Sequence, residues 1–103
     1  MEFTINSADS GKIGGSVSEE FVARFDNSTI EIAHIFYLGI RYSKSGDLYI
    51  QLSTGERVPV HMGCYGIGLT RLIPVVAYQN ITSSGLIWPA LITPFNVEII
   101  QAI

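Results

Sequence analysis

The run Ile30-Glu31-Ile32-Ala33-His34-Ile35-Phe36-Tyr37-Leu38 is β-rich and apolar at odd and even positions alike. A strand of that kind needs cover on both faces, so it belongs in the middle of a sheet. Its even positions put His34 in line with Ile30, Ile32, Phe36 and Leu38, which makes this imidazole the most conspicuous polar group of the expected core. The rest of the chain has to supply neighbours for that strand. Upstream, weak alternation around Phe3 and Ile5 predicts a strand within residues 1–9. Residues 10–16 form a glycine-rich connection, and a second strand over Val17–Phe25 is closed by the turn cluster Asp26-Asn27-Ser28.

Downstream, residues 41–46 read as a loop. Residues 47–53 alternate through Leu48, Ile50 and Leu52, residues 57–62 through Val58, Val60 and Met62, and Thr54-Gly55-Glu56 turns between them, which predicts an antiparallel hairpin. Pro59 cannot donate to a ladder, so its nitrogen must face an edge or a bulge. Residues 63–68 read as a glycine-rich bend. Beyond it Leu69, Leu72, Ile73 and Val76 recur at helical spacing, in a helix that starts near Thr70 and ends by Asn80 with Pro74 inside it. Residues 82–85 are loop, residues 86–94 an irregular apolar connection, and residues 95–103 start another strand, so the chain looks cut within a β-rich run. The fold class is α+β: a mostly antiparallel sheet of about five strands and one principal helix, with a ligand site at the glycine bend.

At 103 residues this is one small domain, 48% apolar and only 15% charged where roughly 25% is usual. The apolar surplus calls for a partner surface or a larger parent. A net charge of −3 with six scattered Lys and Arg argues against a stand-alone grip on nucleic acid. Cys64 is alone, which excludes an internal disulfide, and no set of His, Cys, Asp and Glu has metal-ligand spacing. There is no basic, apolar leader, and the longest apolar-rich stretch, 69–78, is too short for a bilayer and contains Pro74, so a soluble intracellular protein is expected.

The strongest chemical constellation is Met62-Gly63-Cys64-Tyr65-Gly66-Ile67-Gly68-Leu69-Thr70-Arg71. Glycines let backbone approach a ligand, a helix start offers free N–H groups, and Arg71 adds a planar donor fork, a set suited to a nucleoside triphosphate. It is neither a P-loop nor a dinucleotide fingerprint, and glycines before a helix also serve plain turn geometry. His34 reads equally as a core histidine held by a hydrogen bond, and Cys64 as a small hydrophobe. Glu31, on the opposite strand face from His34, is a pocket residue or a strand-edge charge. Lys12 reads as solvated and His61 as pairing across the hairpin.

The blocks Ile32-Ala33-His34-Ile35-Phe36-Tyr37-Leu38-Gly39, Tyr42-Ser43, Met62 to Arg71, Gly85-Leu86-Ile87-Trp88-Pro89 and Thr93-Pro94-Phe95 resemble, in order and spacing, the last part of the catalytic domain of the prolyl-tRNA synthetase family, class II aminoacyl-tRNA synthetases. Residues 8–16 with Glu20-Phe21 resemble the segment after that class's second signature motif. The resemblance implies a proline–tRNA ligase: ATP, with magnesium carried by the nucleotide, activates proline to prolyl-adenylate, and tRNA(Pro) receives it through domains not represented here. It puts Arg71 at the arginine of the third signature motif, with Gly66 and Gly68 beside the ATP, and His34, Gly63, Cys64, Tyr65 and Trp88 around the proline. It further implies residues 1–94 as a partial catalytic domain and 95–103 as the start of a truncated anticodon-binding domain. A homodimer for the full-length enzyme and a cytoplasmic or organellar location follow in the same way.

Several positions depart from the family pattern: Glu19 stands for a usual histidine, Ala33 for glycine, Tyr78 near a usual glutamate, and Pro74 interrupts an alanine-rich helix. The first two signature motifs have no counterpart in the chain, and a short turn at 26–28 occupies the place of the bacterial editing insertion, so editing is not expected. The competing readings are a non-catalytic interaction module, or a decayed fragment, derived from the same core.

Overall fold

The computed structural model of the protein describes residues 1–102. In chain order it forms strand β1 (Phe3–Ser7), a short 3-10 turn (Gly11–Ile13), β2 (Val17–Phe25), β3 (Ser28–Gly39), a brief helix α1 (Arg41–Ser45) and strands β4 (Tyr49–Gln51) and β5 (Arg57–Pro59). Strand β6 (Met62–Ile67), helix α2 (Leu69–Gln79), β7 (Ile81–Thr82) and β8 (Gly85–Leu86) follow. Strands β1, β2, β3 and β6 make one antiparallel sheet in that order, while β4–β5 and β7–β8 are separate two-stranded ribbons. The expected α+β architecture is present, with α2 as its principal helix and β3 in the sheet interior.

The core lies where α2 crosses one sheet face. Ala23, Ile32 and Val75 are buried there, with Phe21, Phe25, Ile30 and Leu72 packed around them. Their meeting depends on an irregularity in β3. Phe21 faces Ala33 but the next residue, Val22, faces Glu31, so Ile32 is an extra residue in the ladder. Such a bulge breaks the two-residue alternation and moves everything beyond it to the other face. Ile30 and Ile32 therefore point to the helix while His34 points away, and the expected alignment of His34 with those two isoleucines is overturned.

Other elements depart from the sequence reading for local reasons. Residues 41–45 form a helical turn, not a loop: Lys44 N–H donates to Ile40 O at 3.0 Å, and the nearly inaccessible Ser43 donates its hydroxyl to the same carbonyl at 3.1 Å. The bend expected at 63–68 is strand β6, which pairs with β3 from Gly39↔Met62 to Ala33↔Ile67. Met62 thus joins the main sheet, and β5 ends at Pro59, whose nitrogen faces away from β4 as the edge expectation requires, since the next residue, Val60, still donates its N–H to Leu48 O at 3.2 Å. Residues 82–85 are no open loop but the tip of the β7–β8 ribbon, with Gly85 at φ 124° making the reversal. No strand forms over 95–102: no sheet edge pairs with that segment, and Phe95, Val97, Ile99 and Ile100 remain exposed. Residue 103 of that expectation lies outside the described residues.

The molecule measures 72 × 33 × 20 Å with a radius of gyration of 20.9 Å, well above the roughly 13 Å of a compact domain of this length. Beyond α2 the helix-side sheet face is bare: Phe3, Ile5, Val17, Tyr37, Tyr65 and Ile67 are 44–78% exposed. Part of the apolar surplus read in the composition lies on this face, and more of it in the β4–β5 ribbon and in the segment after α2. Among the described residues no helix is long and apolar enough to cross a membrane.

Pro74 sits inside α2 on its exposed side, where it removes one helical N–H and crowds the preceding turn. Replacing it with alanine is expected to stabilise the fold by about 2 kcal/mol, read as a higher urea midpoint. A lower midpoint would mean that the ring makes packing that the helix needs.

Candidate functional site

Away from α2, the sheet presents two cross-strand rows. Ser18, Phe36 and Cys64 form one, and Glu20, His34 and Gly66 the other. His34 is the hub. Its Nε2 lies 2.6 Å from Ser18 Oγ, its Nδ1 lies 3.3 Å from Glu31 Oε1, and Phe36 stacks on the ring at 4.0 Å with an interplanar angle of 11°. The expected separation of Glu31 and His34 onto opposite faces is overturned by the same bulge. Three residues apart, with one extra residue between them, they share a face and meet.

Arg71 stands in the first turn of α2 and donates from Nη1 to the Glu31 carbonyl at 3.0 Å. Beside it Gly68 N–H donates to the Ile32 carbonyl at 2.8 Å. The two carbonyls of the bulge therefore anchor the helix start, and Arg71 is fixed relative to the His34 cluster. Its guanidinium is exposed and keeps most of its donors free of intramolecular partners.

The glycines of β6 and of the α2 N-cap discriminate between turn geometry and room for a ligand. Gly63, Gly66 and Gly68 all have φ outside the left-handed region, so backbone conformation does not demand glycine at any of them. A Cβ at Gly63 would meet the phenol of Tyr65, at 2.6 Å. At Gly66 the nearest atom would be His34 O, at 4.0 Å, so this position leaves open surface beside the imidazole. Cys64 is a free, half-buried thiol in the adjoining row.

Thus the structure brings His34, Cys64, Gly66, Gly68 and Arg71 to one region. It sends the Tyr65 ring to the helix-side face, where that residue is 78% exposed, and leaves Trp88 in the irregular segment after β8, off the four-stranded sheet. His61 pairs with the Tyr37 hydroxyl of β3, and not across the hairpin as expected from sequence, because it lies between β5 and the sheet-joining Met62. Lys12 is exposed. Sequence reasoning missed Ser18, which belongs to no motif; only its register one step from His34 across β2 and β3 could have revealed it. Among the described residues no three of His, Cys, Asp and Glu come together as a metal site.

Over 71 residues the chain is 51% identical to a proline–tRNA ligase of Lactiplantibacillus plantarum, and over 72 residues 48% identical to one of Agrobacterium fabrum. A third, from Limosilactobacillus fermentum, is 39% identical over 87 residues. These alignments cover 69%, 70% and 84% of this chain but 12%, 16% and 15% of the relatives, so the chain spans a small fraction of their length. No family model matches the chain.

The open position at Gly66 generates a test of stability apart from binding. Gly66→Ala is expected to leave the unfolding free energy, measured by urea titration, unchanged or to raise it by up to about 1 kcal/mol, as alanine in a strand loses less backbone freedom than glycine. A clear loss of stability would return this glycine to a purely structural role.

Proposed function

From the premise that this chain is homologous to a segment of the proline–tRNA ligases, we propose that it builds part of the site at which proline is activated by ATP. The observation that carries the reading is the joining of Arg71 to the His34 face through the Glu31 carbonyl. A cationic fork at a helix start is held against the same strand that carries the His34 cluster.

In the reaction proposed, the carboxylate of proline attacks the α-phosphorus of ATP, the bond to the pyrophosphate leaving group breaks, and prolyl-adenylate forms. Arg71 receives the phosphates. Its remaining N–H donors suit oxygen acceptors, and their positive charge offsets the negative charge that builds on the leaving group. Gly66 and Gly68 keep the strand and helix start free of side chains where the nucleotide lies. His34, Cys64 and the backbone of Gly63 and Tyr65 wall the proline recess, with Cys64 as a small hydrophobe that sets its volume; Trp88 is assigned to it by the family resemblance alone. Magnesium accompanies the nucleotide.

Transfer to tRNA(Pro), the anticodon contacts and the homodimer belong to the remainder of a full-length ligase, with residues 1–94 as catalytic segment and 95–103 as the entry to the anticodon-binding part. The exposed apolar sheet face supports a chain that works against further polypeptide. Activity then requires the rest of the catalytic core.

The test is a chimera in which these residues replace the matching segment of the L. plantarum enzyme, assayed by proline-dependent ATP–pyrophosphate exchange. Exchange is expected to persist, and Arg71→Ala to lower kcat/KM by about 10²–10³-fold without changing the melting temperature. An Arg71→Ala chimera with unchanged exchange overturns the role given to this residue. Cys64→Leu fills the recess and is expected to raise the KM for proline about tenfold with little effect on that for ATP; equal losses for both would make Cys64 structural.

A further inference from the structure

The histidine of this face has no nitrogen left for a ligand. His34 Nε2 is 2.6 Å from Ser18 Oγ, Nδ1 is 3.3 Å from Glu31 Oε1, and Phe36 covers one ring face. Ser18 is 7% exposed, and among the described residues the imidazole is the one partner of its hydroxyl. A buried hydroxyl must place its own proton on an acceptor. If Nε2 carried a proton, in the neutral ring or in the imidazolium, it would donate to Ser18 and leave the hydroxyl hydrogen without an acceptor. The neutral Nε2–H form would also set an Nδ1 lone pair against the Glu31 carboxylate. One arrangement satisfies every group: Ser18 donates to Nε2, and Nδ1–H donates to Glu31.

We propose that Ser18 and Glu31 are positioning residues that lock His34 as the neutral Nδ1–H tautomer, so that it offers substrate a fixed flat wall and no hydrogen bond. A wall of that kind suits a compact aliphatic ring and gives nothing to a polar side chain. This use of the clamp rests on the proline-site reading above, whereas the tautomer itself rests on the hydrogen bonds alone. The lock is tied to the ligand side of the molecule as well, since the backbone of Glu31 is held by Arg71.

The first measurement is a long-range proton–nitrogen correlation spectrum of the imidazoles in the 103-residue chain, with His61→Asn to assign the two rings. The expected pattern has Nδ1 protonated and Nε2 unprotonated in a single form. An Nε2–H ring, a doubly protonated ring or averaged signals, from ring motion or from an unstructured chain, overturn the lock. Ser18→Ala is expected to convert the single form into a mixture, and Ser18→Thr, which keeps the hydroxyl, to restore it.

In the chimeric ligase, Ser18→Ala and Glu31→Gln are expected to raise the KM for proline about tenfold with the KM for ATP unmoved, and Ser18→Thr to rescue. Equal effects on both substrates, or no effect, overturn the positioning role. A correct tautomer in a chimera that lacks proline-dependent exchange even before mutation refutes the proline-site reading and leaves the lock standing.

Discussion

One extra residue in β3 organises the molecule. With Ile32 inserted into the ladder opposite Val22, the strand shows isoleucines to α2 in its first half and a polar cluster to the opposite face in its second. At that irregularity the Ile32 carbonyl accepts from Gly68 N–H, in line with the β3–β6 ladder, and the Glu31 carbonyl accepts from Arg71. Core, helix docking and site therefore share a single origin. A regular strand would have buried His34 beneath the helix and left Arg71 with no backbone acceptor at this point.

The two faces of the sheet have different characters. The helix side is mostly apolar and only partly covered by α2; Phe3, Tyr65 and Ile67, with Phe21 and Ile35 between them, border an open groove of about 400 Å³. The other side carries Ser18, Glu20, Glu31 and His34, and the side chains of Ser18, His34 and Glu31 find partners in each other. Exposed apolar surface on that scale is unusual for a free-standing soluble domain. It agrees with a chain that matches only 12–16% of the length of its relatives.

Much of this architecture is legible in the sequence, because alternation reports strands directly. Val17–Phe25 is found as read, the central position of β3 follows from its two apolar faces, and the helix follows from Leu69, Leu72 and Val76. What sequence could not give is phase. Nothing in Ile30-Glu31-Ile32-Ala33 announces a bulge, yet the bulge decides which residues His34 meets. The glycines of 63–68 suggested a bend for the same reason: side-chain pattern is silent where there are no side chains, and only pairing with β3 makes that stretch a strand. Arg71, His34 and Cys64 were marked by residue type and by family resemblance, while Ser18 is found only by register.

Residues 40–61 leave the sheet after Gly39 and return at Met62, and those two residues face each other across adjacent strands. The excursion, with α1 and the β4–β5 ribbon, therefore begins and ends at one place. The free energy of closing such a loop grows only with the logarithm of its length, so evolution can lengthen, trim or exchange this segment without shifting the register of β3 against β6. Change in chain length is tolerated there, whereas a single deletion between Ile30 and His34 would turn the site inside out.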